Sequence, residues 1–320
     1  MIWPVLMLLT GIVILVLSAD KFVEGAAATA NRFGMPPLLI GIVVLGFGSS
    51  TPEMVVSTLA ASQDNPGLAL GNALGSNITN IALIIGITAL VSPIAVKSSV
   101  LKTEFPYLLL VTGLATYLLS DADLTRLESL ILLGTFVMLA GWSINQGLKH
   151  PSDILATEVE SELRTEISLL KTNFYLFGGL FFLILGSRML VWGGVELAER
   201  LGVSDLVIGL TIVAIGTSLP ELAASISAIR KKEDDLALGN IIGSNLFNTT
   251  LVIGIAGSIS PFELDKLFIT RDLPVVVLLT VALFLAGSPI GKRPGRINRW
   301  EGGAMLACYV VYNYWLIYTN

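Results

Sequence analysis

Two stretches carry the side chains that could hold a hard cation: "GFGSSTPEM" at 46–54 and "AIGTSLPEL" at 214–222. Each sets hydroxyls just ahead of a proline and a glutamate: Ser49, Ser50 and Glu53 in the first, Thr217, Ser218 and Glu221 in the second. Carboxylates, hydroxyls and backbone carbonyls make an all-oxygen environment, which suits hard cations rather than zinc or copper. Downstream, "GNALGSNITN" places Asn72, Ser76 and Asn80 four residues apart, and "GNIIGSNLFN" does the same with Asn240, Ser244 and Asn248. That spacing puts each set in one stripe along a helix. Ser76, Asn80, Ser244 and Asn248 are the better ligand candidates. For Asn72 and Asn240, ligation and plain interhelical hydrogen bonding stay equally open. Gly71 with Gly75, and Gly239 with Gly243, form G-x-x-x-G patterns that let helices approach closely.

The elements that position these groups belong to a membrane. The 320 residues are 54% hydrophobic and 13% charged, with mean hydropathy +0.80. Soluble chains carry about 25% charged residues. The net charge of −5 does not set orientation, which follows lysine and arginine placement. One cysteine, Cys308, excludes an internal disulfide framework, and one histidine, His150, excludes a histidine-rich metal site. The first apolar segment has no basic residue before Lys21, and its counterpart recurs at 169–186, so it reads as a structural helix rather than a secretory signal.

Apolar runs and their breaks predict ten transmembrane helices near 3–32, 36–62, 68–94, 103–119, 124–148, 171–200, 204–230, 236–259, 272–288 and 299–318. Alternate connections on one side collect thirteen of the 19 basic residues, those on the other side four, and Lys21 and Arg188 fall inside helices. The positive-inside rule then places both termini outside the cell and the 149–170 connection in the cytoplasm. That connection carries Glu158, Glu160, Glu162 and Glu166 but lacks the glycine and alternating ligands of a calcium-sensor loop, so it reads as an acidic linker.

Residues 41–94 align without a gap on 209–262, at a constant offset of 168 and with 22 of 54 positions identical. The domain plan is therefore a first five-helix repeat at 1–148, a linker at 149–170 and a second repeat at 171–320. Five helices per repeat is an odd number, so the second copy enters the membrane from the opposite face. Inverted repeats are a common plan of secondary transporters, with substrate sites near the midplane between halves.

Pro52 lacks an N–H and clashes with the Gly48 carbonyl, so the second helix is expected to kink or unwind over 46–50 and expose carbonyls. Ser50 or Thr51 is expected to cap the helix that restarts at Pro52, with Glu53 in its favourable first turn. The second copy repeats this at Gly216, Thr217, Ser218, Pro220 and Glu221. A charged group near the bilayer centre costs about 2.5–3.5 kcal/mol on insertion scales, so two glutamates at matched depth point to a cation.

These paired motifs, "GSSTPE…GNALGSNITN" and "GTSLPE…GNIIGSNLFN", resemble the α-repeats of the sodium/calcium exchanger family within the calcium/cation antiporter superfamily, in its prokaryotic form, and the resemblance spans essentially the whole chain. It implies an all-α fold of ten helices in two inverted repeats, with broken helices two and seven at the centre, and exchange of Ca²⁺ against Na⁺. It implies ligation by Glu53 and Glu221, by the hydroxyls of Ser49, Ser50, Thr217 and Ser218, by carbonyls at Gly46 and Ala214, and by Ser76, Asn80, Ser244 and Asn248. The first and sixth helices look like the family's sliding gate. Some relatives, including potassium-dependent exchangers, carry aspartate at the position of Asn248, which speaks against a potassium requirement here. The large cytoplasmic regulatory insert of animal exchangers is missing.

Exchange of Ca²⁺ for H⁺ is the close alternative, since protons also neutralise glutamates, although the additional acid of proton-coupled relatives is missing from the GN helix. A channel would need a continuous polar path rather than a mid-helix cluster. No nucleophile–base pair, H-E-x-x-H motif or P-loop is present, so neither an intramembrane enzyme nor a nucleotide-driven pump is expected, and no cofactor, nucleotide or nucleic acid. The expected partners are Ca²⁺, Na⁺ and the lipid bilayer. Asp20 and Arg188 are repeat-related, should lie at opposite depths and are not expected to pair.

Overall fold

The computed structural model describes residues 2–33, 35–63, 66–149, 168–201, 214–264, 266–289 and 294–319. The acidic linker with Glu158, Glu160, Glu162 and Glu166 and the start of the seventh helix lie outside them. Ten helices follow in order. They are α1 (Ile2–Phe33), α2 (Pro37–Ser49 with Thr51–Ser62), α3 (Gly67–Val91), α4 (Glu104–Leu118) and α5 (Arg126–Lys149). The second half holds α6 (Leu169–Leu197), α7 (Ala214–Thr217 with Leu219–Arg230), α8 (Asp234–Ile259), α9 (Phe268–Gly287) and α10 (Arg299–Thr319). Among the described residues, six helices (α1, α3, α5, α6, α8 and α9) and the bent pair of α2 are long and apolar enough to cross a bilayer. At 32 residues α1 is about 48 Å long, more than the roughly 30 Å hydrocarbon core requires, so it must tilt.

Burial separates centre from periphery. In their most apolar windows 72% of α3 and 89% of α8 is buried within the protein, against 28% for α1 and α6 and 11% for α5. The polar stripes of α3 and α8 therefore sit at the heart of the bundle. Among the described residues five segments are widened to π-helical geometry, including Gly41–Gly46 in α2, Thr79–Ile85 in α3 and Asn248–Val252 in α8. Such widening is frequent at functional sites, and these three flank the conserved pattern of the two repeats.

Lipid tails are as apolar as leucine, so helices in a membrane are held by close packing and hydrogen bonds rather than by a hydrophobic drive. Two glycine seams supply that closeness. Helices α1 and α6 run antiparallel, so that a methyl on Gly11 would stand 2.7 Å from the Leu190 nitrogen and one on Gly179 would stand 2.6 Å from the Phe22 nitrogen. Gly11 and Gly179 are themselves repeat mates at the 168 offset, as are Leu190 and Phe22, so the seam obeys the internal symmetry. The second seam joins α2 to α8 through Gly41 and Gly46 against Gly239 and Gly243. The G-x-x-x-G of α8 is thus a packing motif. The symmetry-related partner of Gly71 and Gly75, at 209–214, lies almost wholly outside the described residues.

Outside the helices, two small antiparallel ribbons tie the repeats together. Strand β1 (Ile94–Ala95) pairs with β4 (Arg296–Ile297), and β2 (Asp123–Leu124) pairs with β3 (Phe262–Glu263). Each ribbon takes one strand from each repeat. Beside the first, the Ala95 N–H donates to Asp234 at 2.8 Å, and Lys97 pairs with Asp235 at 2.6 Å. The connections that meet in each ribbon are those that the inverted ten-helix plan puts on one side of the membrane.

Of the kink or unwinding expected over 46–50, the kink is found and the unwinding is not. The chain stays helical through Ser49, and a 45° bend is concentrated at Ser50, which sits at φ −80° and ψ 5°. The Ser50 N–H still reaches the Gly46 carbonyl at 3.1 Å, and the Met54 N–H reaches the Ser50 carbonyl at 3.1 Å. Pro52 thus deletes one backbone bond, too little to unravel a turn held on both sides. In α7 the helix is interrupted at the matching residue, Ser218, with φ −92° and ψ 7°.

Candidate cation-binding site

The bend of α2 and the interruption of α7 bring the two glutamates into one buried cluster walled by α3 and α8. Glu53 and Glu221 are each 1% exposed, and Ser49, Ser50, Ser76, Asn80, Ser218, Ser244 and Asn248 are all buried with them. Ser50 and Ser218 stand at the N-terminal ends of the restarted helices, yet neither hydroxyl caps its own helix. That expectation is corrected: Ser50 Oγ donates across the pseudo-symmetry axis to Glu221 Oε1 at 3.2 Å. Thr51 bonds back to the Phe47 carbonyl at 3.2 Å. A cap would satisfy one backbone N–H; the crossing bond serves a buried carboxylate, whose desolvation is far more costly.

On the other side Thr217 and Ser218 stand toward Glu53 in the same crossed sense, although neither Glu53 oxygen nor Ser218 Oγ is hydrogen-bonded among the described residues. Ser244 Oγ lies 3.5 Å from Glu221 Oε1 and 3.4 Å from the Gly46 carbonyl. That carbonyl is not freed by the proline, as its bond to Ser50 shows, but its second lone pair faces the cluster. Ala214 is the first described residue of α7. The carbonyl Pro220 does free, that of Gly216, accepts from Ser187 Oγ of α6 at 2.7 Å.

Asn72 and Asn240 resolve toward hydrogen bonding. Asn72 Nδ2 donates to the Glu53 carbonyl at 3.1 Å and to Ser57 Oγ at 2.9 Å. Asn240 Nδ2 does likewise to the Glu221 carbonyl at 3.1 Å and to Ser225 Oγ at 3.0 Å, while its Oδ1 accepts from Ser49 Oγ at 3.0 Å. Each asparagine pins the backbone of the glutamate that its own repeat contributes. Ser57 and Ser225 were missed from the sequence, although their identity at the 168 offset, one turn after each glutamate, was the available signal. Asp20 accepts from Ser227 Oγ at 2.6 Å, a contact between α1 and α7 that leaves it apart from Arg188.

Several buried oxygens at this centre have no hydrogen-bond partner among the described residues: both of Glu53, Oε2 of Glu221, Oγ of Ser218, and Oδ1 of Asn80 and Asn248. A buried polar atom left unsatisfied costs about 1–3 kcal/mol, and a charged one more. Six such oxygens match the six to eight that Ca²⁺ takes, and the two carboxylates match its charge. Among the described residues no group of three or more histidine, cysteine or acidic side chains is placed to hold a metal ion.

Known proteins similar in sequence and structure match nearly the whole chain. A family model described as sodium/calcium exchanger protein matches residues 3–145 and 172–318. The chain is 47% identical over 318 residues to the putative antiporter CaxA of Alkalimonas amylolytica, covering 99% of both. It is 29% identical to the sodium/calcium exchanger MaX1 of Methanosarcina acetivorans, over 98% of both, and 40% identical to the inner membrane protein YrbG of Escherichia coli, over 91% of this chain and 90% of that one. Among solved structures, the sodium-calcium exchanger NCX_Mj superposes with a TM-score of 0.82 at 31% identity, over 97% of each chain.

Proposed function

Since the chain belongs to the sodium/calcium exchanger family, we propose that this cation antiporter couples Ca²⁺ movement to Na⁺ and does so by alternating access around Glu53 and Glu221. The observation that carries the reading is the pair of mirrored, buried carboxylates, three of whose four oxygens have no hydrogen-bond partner among the described residues. Ca²⁺ or several Na⁺ ions neutralise the pair, with Ser49, Ser50, Thr217, Ser218, Ser76, Asn80, Ser244, Asn248 and the carbonyls of Gly46 and Ala214 as the oxygen set around them. With the pair neutralised, α1 and α6, held together by their glycine seam, slide as a unit past the rest of the bundle and change the side to which the site opens. The empty site, carrying two buried charges, does not cross, and this penalty couples the two fluxes. Membrane voltage adds about 2.3 kcal/mol per 100 mV for each net charge moved. Both termini face the outside of the inner membrane, and the 149–170 linker faces the cytoplasm.

The test is ⁴⁵Ca²⁺ uptake into proteoliposomes driven by an outward Na⁺ gradient at fixed pH. Glu53→Gln and Glu221→Gln are each expected to abolish it. Uptake driven by a proton gradient in Na⁺-free medium would replace Na⁺ with H⁺ as the coupling ion. Uptake surviving either substitution would remove the carboxylates from the mechanism.

A further inference from the structure

Beside the ligand asparagines lie two more, Asn77 of α3 and Asn245 of α8, both 2% exposed or less and repeat mates of one another. Asn80 Nδ2 donates to Asn245 Oδ1 at 3.1 Å, which leaves Asn80 Oδ1 buried with no partner among the described residues. This matters because a carboxamide has two ends of the same shape and opposite use: the oxygen attracts a cation and the NH₂ repels it. In a buried site something must occupy the NH₂ end if the oxygen is to face the ion. Asn245 does that for Asn80.

The internal symmetry predicts the same arrangement for the other half, with Asn248 Nδ2 on Asn77 Oδ1. It is not formed. Asn77 Nδ2 donates instead to Thr249 Oγ1 at 2.8 Å, and neither Asn77 Oδ1 nor either end of the Asn248 amide has a partner among the described residues. The halves differ in sequence here: the repeat mate of Thr249 is Ile81, so only Asn77 is offered a hydroxyl, and Asn245 Nδ2 has no partner among the described residues. Thr249 holds the NH₂ end of Asn77 and leaves its oxygen as the acceptor that Asn248 lacks.

We propose that Asn245 and Asn77 are positioning residues that set which end of Asn80 and Asn248 faces the cation, Asn245 by a bond already made and Asn77 by one made when the ion arrives, with Thr249 orienting Asn77. The inference rests on the cation site proposed above and deepens it. The two halves of that site are then unequal: Asn80 is preset, and Asn248 is recruited by its ligand.

A structural role for Asn245 would lower yield or turnover whatever stands at position 80. A positioning role acts through Asn80 alone, so the test is a double-substitution cycle on the full chain in proteoliposomes, read as the KM for ⁴⁵Ca²⁺. Asn245→Leu is expected to raise KM about tenfold, the worth of one hydrogen bond to a ligand group, with Vmax within about threefold. In the Asn80→Ala background the same substitution is expected to add less than about twofold. Thr249→Val, which removes one hydroxyl from a side chain of the same shape, is expected to raise KM about threefold and to do nothing in the Asn248→Ala background. Asn245→Ala and Thr249→Val carry the test if Asn245→Leu does not fold. An unchanged KM, or the full effect persisting in the alanine backgrounds, would overturn the inference. Glu53→Gln run alongside separates the two readings: if it also leaves uptake intact, the cation site itself is wrong rather than its positioning residues.

Discussion

Gly243 is the residue at which packing and ion binding meet most directly. A methyl added there would stand 2.6 Å from the carbonyl oxygen of Ile42, 2.8 Å from its Cα and 3.1 Å from its carbonyl carbon. All three are backbone atoms, so no side chain can turn aside. Restoring ordinary contact at 3.4 Å requires the first half of α2 to retreat by about 0.8 Å. Ile42 lies one turn before Gly46, whose carbonyl is 3.4 Å from Ser244, and two turns before Ser49, which is 3.0 Å from Asn240. Ca²⁺ accepts oxygens only within about 2.3–2.6 Å, a window narrower than that retreat. Overpacking of this kind costs about 1–3 kcal/mol, which is roughly one to two decades of affinity. Gly243→Ala should therefore raise the KM for ⁴⁵Ca²⁺ by about 10- to 100-fold and lower the detergent melting temperature. Gly303→Ala in α10 is the control: no described atom lies within 4 Å of the added methyl, and removing a helical glycine gains about 0.5–1 kcal/mol. A Gly243→Ala protein with unaltered KM and melting temperature would refute the close α2–α8 approach.

Three other outcomes follow from the same contacts. Ser50→Ala should lower Ca²⁺ uptake sharply and cost more stability than the roughly 1 kcal/mol of a lost cap, because it strips a hydrogen bond from the buried Glu221 carboxylate; uptake and a melting curve both unchanged would contradict this. Gly179→Val should slow exchange while equilibrium ⁴⁵Ca²⁺ binding persists, since its methyls strike the Phe22 backbone in the α1–α6 seam and touch no ligand; equal losses of both would count against a separate gate. In α9 the buried pair Arg271–Asp272, 2.8 Å apart, also receives Tyr312 Oη at 2.9 Å. Tyr312→Phe should cost about 1 kcal/mol, and Asp272→Asn about 3–5 kcal/mol by stranding the arginine charge, an ordering that thermal melts of the two proteins will show.

Much of this architecture is legible in the residues. Apolar runs mark the ten helices, the 168 offset marks the duplication, and the two prolines mark where α2 bends and α7 is interrupted. What local pattern does not carry is choice between near and distant partners. Ser50 has the spacing of a helix cap, and nothing nearby in the chain announces a carboxylate 171 positions away that needs its proton more. Ser187 looks like one more small residue in an apolar helix until α6 packs beside the carbonyl that Pro220 frees. Asn77 and Asn245 repeat as faithfully as the candidate ligands, yet identity between repeats does not separate a residue proposed to touch the ion from one proposed to turn its neighbour. The extent of the bend was overread for a related reason: a proline removes one backbone bond, and its surroundings decide whether adjacent turns survive.

The two ribbons carry a consequence for how such a chain comes to exist. Strands β1 and β3 correspond at the 168 offset, and each finds its partner in the opposite half. Two separate five-helix chains inserted in opposite senses would build both ribbons by symmetry alone, as an antiparallel homodimer. Joining them end to end adds no contact to either clasp. What fusion permits is divergence, so that a threonine stands in one half where an isoleucine stands in the other and the two halves of one centre no longer behave alike.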